Sequence, residues 1–251
     1  MTSRDRTEDP RAPGLAALAA LIADRTRAAC LLALLDGRAW TAGELARHAG
    51  VAASTLSEHL GKLVAGGLLA EERQGRHRYV RLAGARVAQL VEDLAAQVAP
   101  GTPRPPRTLR ESSAGSAMAR GRTCYDHLAG RLGIAVTDAL TVRGLLCAHE
   151  EAESGFTLTD AGLAWFGAAG IGLDRTGRRP LARACLDWTE RRPHLAGVAG
   201  AALCRHALAA GWCVRIGSER AVKVTATGER ALSELLGIAP GALRRGRPGD
   251  R

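Results

Sequence analysis

Thr41-Ala-Gly-Glu-Leu-Ala-Arg-His-Ala-Gly50-Val-Ala-Ala-Ser-Thr-Leu-Ser-Glu-His-Leu60-Gly-Lys-Leu-Val-Ala65 decides the fold of the first part of this chain. Leu45, Ala46, Ala49, Val51, Leu56, Leu60 and Leu63 recur at helical spacing in two runs, so each run keeps one face for a shared core. The spacing predicts helices over 41–49 and 54–65. Gly50 between them supplies the positive φ of a sharp inter-helix turn. Ala52, where a Ser or Asp would cap the second helix, leaves that helix weakly capped, a loss on the order of 1 kcal/mol. The opposite face of the second helix offers Ser54, Thr55, Ser57, Glu58, His59 and Lys62. A short polar ridge of this kind fits a major groove about 12 Å wide and reaches base edges there.

Downstream, Leu69, Val80 and Leu82 flank the polar centre Glu71-Glu-Arg-Gln-Gly-Arg-His-Arg78, which reads as a hairpin with a charged tip. The hairpin brings Arg73, Arg76, His77, Arg78 and Arg81 within reach of phosphates flanking the groove, contacts that give salt-dependent affinity but little sequence information. Helix, turn, helix and basic hairpin in that order make a winged helix-turn-helix, with double-stranded DNA as its partner. Leu15–Leu35 is also helical, broken near Asp24-Arg25-Thr26-Arg27, and Ala85–Val98 continues in helix after the hairpin.

The composition agrees with a polyanionic partner. Of 251 residues, 35 are Lys or Arg against 25 Asp or Glu, for a net charge of +10, and only Lys62 and Lys223 are lysine. Aromatics are 3%, so the core must be Leu, Val and Ala. No apolar run approaches the roughly 18–20 residues of a membrane span, and the charged start Met1–Pro10 lacks a signal-peptide core, so the expected location is the cytoplasm. The six cysteines form no Cys-x-x-Cys pair and are expected to be reduced. Pro100-Gly-Thr-Pro-Arg-Pro-Pro-Arg107 reads as a stiff linker. The expected organisation is therefore a disordered arm at 1–14, the winged helix at 15–99, the linker at 100–107, a second domain at 108–240 and a basic tail at 241–251. The fold class is mainly α, a winged helix followed by a mostly helical α+β domain.

The second domain carries an internal echo. Leu158-Thr-Asp-Ala-Gly162 with Gly170-Ile171 matches Val224-Thr-Ala-Thr-Gly228 with Gly237-Ile238. Cys124-Tyr-Asp126-His127-Leu-Ala-Gly130 matches Cys185-Leu-Asp187-Trp188, completed past a six-residue insert by His194-Leu-Ala-Gly197. Such self-similarity suggests two related helix-rich halves.

Ala23-Asp-Arg-Thr-Arg27, Gly43-Glu-Leu-Ala46, Val51-Ala-Ala-Ser-Thr-Leu-Ser-Glu-His-Leu-Gly-Lys-Leu63, Gly66-Gly-Leu-Leu69 and Gly75-Arg-His-Arg-Tyr-Val-Arg-Leu82 together resemble the ArsR/SmtB family of bacterial repressors, over roughly residues 15–98. The resemblance implies a homodimer paired through the first helix and the helix after the wing, bound to an operator with two-fold symmetry, and releasing DNA when an effector binds. The long C-terminal part resembles the extended region of a subset of such regulators. Two departures matter. The family's Cys-x-Cys metal site in the helix before the recognition helix is missing from Thr41–Ala49, and the cysteines that the cadmium/lead-sensing branch carries in the recognition helix are missing from 54–65.

The effector is therefore sought elsewhere. Cys124, Asp126 and His127 in one half, with Cys185, Asp187 and His194 in the other, could meet around a divalent ion such as zinc, cadmium, lead or cobalt. Against this, adjacent residues such as Asp126 and His127 diverge by about 100° on a helix, and a buried Cys also serves as a small hydrophobe. An organic effector in a pocket walled by Tyr125, Trp165, Phe166, Trp188 and Trp212 is the competing expectation. A thiol redox sensor is a third, since Arg122 and Arg183 lie two residues before Cys124 and Cys185. No phosphate loop, Gly-x-Ser-x-Gly or His-Glu-x-x-His motif points to an enzyme.

Overall fold

The computed structural model describes residues 9–74, 77–98, 116–149, 155–217 and 220–243. The expected linker, Arg76 and most of the expected arm and tail lie outside them. Packing divides the chain into two units, Met1–Val87 and Ala88–Arg251. That division falls well ahead of the expected boundary at 99.

The first unit runs α1 (Ala12–Ile22), α2 (Arg25–Leu34), β1 (Trp40–Thr41), α3 (Ala42–Ala49), α4 (Ala53–Ala65), β2 (Leu69–Gln74) and β3 (His77–Leu82). α1 begins inside the stretch expected to be an arm, because Pro13 fits the first turn, where its missing N–H has no partner to lose. The Asp24 carboxylate caps α2 by accepting from Arg27 N at 2.9 Å, which explains the break read there. Thr41 and Glu44 close a reciprocal capping box on α3. Gly50 takes φ 73° and its N–H donates to Ala46 O, ending α3 and turning the chain into α4. Ala52 offers α4 no side-chain cap. Leu56, Leu60 and Leu63 of α4 are buried with Leu31, Leu34, Leu45, Leu69 and Val80, each worth about 1.5–3 kcal/mol of apolar transfer. The wing is a three-stranded sheet in the order β1-β3-β2, with Trp40 opposite Val80, Leu69 opposite Leu82 and Arg73 opposite Arg78. β1, absent from the sequence reading, is only two residues long.

α5 (Ala85–Gln97) starts two residues after β3 and crosses the division between the units. The second unit then repeats one order of elements. Its first half is β4 (Arg122–Cys124), β5 (His127–Ala129), α6 (Gly130–Val142), β6 (Leu146–Ala148), β7 (Phe156–Leu158) and α7 (Asp160–Ala168). Its second half is β8 (Arg183–Leu186), β9 (Pro193–Ala196), α8 (Gly197–Ala209), β10 (Cys213–Arg215), β11 (Val222–Val224) and α9 (Ala226–Leu236). Each half is hairpin, helix, hairpin, helix, and the quoted motifs occupy equivalent places. Thr159 caps α7 through Gly162 N and Thr225 caps α9 through Gly228 N, both at 3.0 Å. One apolar core joins the halves, with Leu128, Leu132, Val136 and Phe166 from the first and Leu195, Ala199, Leu203 and Leu232 from the second.

Candidate functional site

The polar ridge of α4 is largely where the pattern puts it. Ser54, Thr55, Ser57, Glu58 and Lys62 are exposed, although Ser57 Oγ donates back to Ala53 O at 3.0 Å. His59 departs from the ridge. Its side chain is only 17% exposed and lies 3.5 Å from Asp24 Oδ1 and 3.4 Å from an Arg27 guanidinium nitrogen. On a helix, His59 sits between the exposed ridge and the buried Leu stripe, and it turns to the junction of α1 and α2. In the wing, Arg73 is exposed, whereas Arg78 forms an ion pair with Glu71 of the facing strand. The structure thus leaves Arg73 more available to an anion than Arg78.

In the second unit, Cys124, His127, Cys185 and His194 are all buried, and one ligand atom from each lies within 4.8 Å of the others. The two hairpins explain how. Cys124 stands directly opposite His127 across β4–β5, and Cys185 directly opposite His194 across β8–β9. Residues facing each other in an antiparallel pair share one face with Cβ atoms about 4.5–5.5 Å apart, so each hairpin presents one thiol beside one imidazole. Cys124, His127, Cys185 and His194 lie on strands, and Asp126 in the turn before His127, so the 100° divergence of helix neighbours does not apply. The hairpins meet sulfur to sulfur at 3.9 Å and Nε2 to Nε2 at 3.1 Å. A tetrahedral zinc ion, with sulfur at about 2.3 Å and nitrogen at about 2.0–2.1 Å, holds its sulfurs about 3.8 Å and its nitrogens about 3.3 Å apart. The four atoms already stand near those separations.

The two aspartates expected as ligands stand behind the histidines instead. Asp126 takes two bonds from Arg179, at 2.6 and 3.0 Å, and lies 3.2 Å from His127 Nδ1. Asp187 Oδ2 accepts from Arg122 at 3.0 Å and Gly130 N at 2.7 Å, while its Oδ1 accepts from Thr189 and Glu190. With its lone pairs so engaged it has nothing left for an ion. Its Oδ2 is 3.8 Å from His194 Nδ1, a nitrogen with no hydrogen-bond partner among the described residues. In both halves, then, Nε2 faces the cluster and Nδ1 faces a carboxylate. That is the arrangement by which carboxylates orient metal-binding imidazoles.

Charge at the cluster is uneven. Cys185 is held well below the usual thiol range, first by the hydrogen bond from Cys124 and then, against burial, by His127 and His194. Cys124 is pushed well up by that same bond, by burial and by the neighbouring Glu92 carboxylate. Cys124 Sγ lies 3.0 Å from Gln89 Oε1, 3.1 Å from Glu92 Oε2 and 3.9 Å from Cys185 Sγ. Burial raises Glu92, but Arg220 and Arg122 outweigh it and hold the carboxyl below its ordinary value. Gln89 and Glu92, both on α5, are absent from the sequence reading. The available signal was Glu92 itself, a charge on the stripe of Ala88, Val91 and Ala96 that packs inward.

The aromatic residues expected to wall one pocket are dispersed. Trp165 and Phe166 meet edge to face at 5.1 Å, Trp212 packs on His206 at 4.8 Å, Trp188 lies over the Arg122 guanidinium at 5.3 Å, and Tyr125 is exposed. No helix among the described residues is long and apolar enough to cross a membrane.

Residues 22–72 match the helix-turn-helix domain family. Over 228 residues the chain is 38% identical to the uncharacterized HTH-type transcriptional regulator YdfF of Bacillus subtilis, a match covering 90% of this chain and 98% of the relative. It is also 38% identical over 88 residues to the HTH-type transcriptional regulator CmtR of Mycobacterium bovis, covering 35% of this chain and 74% of that one. Among solved structures, the homodimeric winged helix-turn-helix DNA-binding domain of a possible ArsR-family transcriptional regulator from Mycobacterium bovis is similar at 30% identity. That match has a TM-score of 0.30 and covers 36% of this chain and 83% of that one.

Proposed function

The chain belongs to the helix-turn-helix transcriptional regulators, and on that premise we propose that it is an operator-binding repressor of the ArsR/SmtB type with an extended C-terminal unit, whose effector is a thiophilic divalent metal ion held by Cys124, His127, Cys185 and His194. Ser54, Thr55, Ser57, Glu58 and Lys62 of α4 enter the major groove. There Glu58 can accept from a cytosine amino group and Lys62 can meet a phosphate or a guanine edge. Arg73, Arg76 and Arg78 hold the strand beside it. α1, Ala-Pro-Gly-Leu-Ala-Ala-Leu-Ala-Ala-Leu-Ile, has no buried residue, and Leu15 is 68% exposed. An apolar helix so placed supports pairing with a second copy of the chain, and a homodimer reads an operator of matching two-fold symmetry. The protein acts where operator and ion are both found, in the cytoplasm.

The observation that carries the effector reading is the convergence of two thiols and two imidazoles, one pair from each half, within 4.8 Å. Two sulfurs and two nitrogens in a closed tetrahedral set suit zinc or cadmium and leave no open coordination position for catalysis. The test is a titration of the reduced full chain with Cd²⁺ or Co²⁺, followed by sulfur-to-metal charge transfer or tetrahedral Co²⁺ absorption, with fluorescence anisotropy on duplex DNA from upstream of its own gene. The expected result is one ion per chain and an operator affinity lowered by about 5–150-fold, the usual span of allosteric coupling. Equal metal uptake by a Cys124→Ser/Cys185→Ser variant overturns the reading.

The 3.9 Å approach of the two sulfurs favours one second reading. Hydrogen peroxide could take two electrons and two protons from Cys124 and Cys185, forming a disulfide and two waters. A response of DNA binding to peroxide in metal-free buffer, reversed by dithiol, would select it.

A further inference from the structure

Resting on the metal reading above, we propose that Gln89 and Glu92 of α5 form the relay by which occupancy of the Cys124/His127/Cys185/His194 site reaches the DNA-binding unit. Gln89 touches both ligand sulfurs. Its Oε1 accepts from Cys124 Sγ at 3.0 Å and its Nε2 lies 3.8 Å from Cys185 Sγ. Glu92 is the hub beside it. Oε2 accepts from Cys124 at 3.1 Å, while Oε1 takes bonds from Arg122 at 3.2 Å, Arg220 at 2.6 Å and Trp188 Nε1 at 2.9 Å.

The far end of the helix is held as well. Arg191 donates to Ala96 O at 2.7 Å and to Val98 O. Trp188 and Arg191 both belong to the six-residue insert that separates Cys185 from His194 and breaks the match between the two halves. The asymmetry of the duplicated unit thus has a use, because the insert supplies part of the grip on α5.

The grip runs through the Cys124 sulfur, which both Gln89 and Glu92 touch. When an ion M²⁺ enters, it forms bonds to Cys124 Sγ, Cys185 Sγ and the two Nε2 atoms, and the Cys124 proton leaves to solvent. A metal-bound sulfur has no hydrogen to donate, so the bonds from Cys124 to Gln89 and Glu92 are lost together. The Gln89 amide can turn over and donate to sulfur, but the Glu92 carboxylate then faces a sulfur with no hydrogen between them. α5 must re-seat, and only Ala83 and Gly84 separate it from the wing strand β3. The ion therefore favours the state in which α5 is re-seated, which is the differential contact that coupling requires.

The test compares the full chain with Gln89→Leu and Glu92→Gln, using Cd²⁺ as the probe and operator duplex as the readout. Both variants should take up one Cd²⁺ with unaltered charge-transfer absorption. Their Cd²⁺-induced loss of operator affinity should shrink at least about five-fold relative to the parent, against the usual coupling range. By reciprocity, the operator's weakening of Cd²⁺ binding should shrink by the same factor. Hydrogen exchange in the unaltered protein gives an independent reading, in which amides of 85–97 should change protection on Cd²⁺ addition. A parent-like metal response in both variants, or unchanged exchange along α5 in a Cd²⁺-loaded protein, overturns the relay alone. A parent chain that takes up no metal overturns the relay and the metal reading together.

Discussion

His127 lies against Gly200 of the opposite half, where a methyl group would stand 3.2 Å from His127 Cβ. The counterpart holds too, with Gly133 facing His194 at 3.7 Å. Each half thus leaves out a side chain on its helix to admit the other half's imidazole, and the motif His-Leu-Ala-Gly-x-x-Gly occurs at both 127–133 and 194–200. In an open helix interior, Gly→Ala stabilises by about 1 kcal/mol. At Gly200 the new Cβ would meet Leu195 O at 2.4 Å, a separation that backbone must move to relieve. We expect Gly200→Ala to lower the melting temperature of the second unit and its Cd²⁺ affinity. Gly61→Ala, with nothing within 4 Å on α4, should raise stability by about 0.5–1 kcal/mol. Calorimetry on the two variants checks the contrast, and a stabilised Gly200→Ala would refute the packing.

On α4 the structure separates two residues that the sequence grouped. Lys62 is exposed, and His59 is tied to Asp24 and Arg27. Lys62→Ala should weaken operator binding and reduce the slope of log affinity against log salt by about 0.9, one phosphate's worth. His59→Ala should leave that slope unchanged and act on thermal stability instead. Anisotropy at several salt concentrations, with melting curves, separates the two. Equal slopes for Lys62→Ala and the parent would remove Lys62 from the phosphate contacts.

How legible was this in the sequence? The winged helix was, because its signals are local. Leu56, Leu60 and Leu63 mark one helix face, Gly50 a left-handed turn, and charges at a hairpin tip a wing. The metal candidates were legible only as a set. Asp126 and His127 read as helix neighbours, and nothing in the spacing shows that a tight hairpin sets Cys124 and His127 face to face. Choosing imidazole over carboxylate was beyond reach as well. What disqualifies Asp187 is the buried Arg122, 65 positions away in sequence, and such a pairing leaves no local trace. Gln89 and Glu92 were missed because α5 was assigned wholly to the DNA-binding unit, where a charge on the inward stripe had no evident partner.

The wing offers a test with an unusual sign. Glu71 pairs with Arg78 across β2 and β3 and so competes with phosphate for that guanidinium. Glu71→Gln should free Arg78, tightening binding to any duplex and steepening the salt slope by up to about 0.9. Arg73→Ala should flatten it. Weaker non-specific binding by Glu71→Gln would show that the pair instead organises the wing for contact.

Burial alone would raise Asp187, yet the Arg122 guanidinium and the bonds from Thr189, Gly130 and Glu190 hold its carboxyl well below the ordinary 3.8. A folded-state value below the unfolded one means that the contribution is complete above about pH 4 and is lost as pH falls below it. Asp187→Asn removes the charge facing Arg122, a side chain with no exposed surface, and should cost about 3–5 kcal/mol at pH 7, the range for breaking a buried pair. Denaturant unfolding of parent and variant at several pH values checks this. The gap between them should stay constant from neutral pH down to about 4 and close progressively below it. A gap that persists undiminished into strong acid would mean that Asp187 stabilises the unit by packing rather than by its charge.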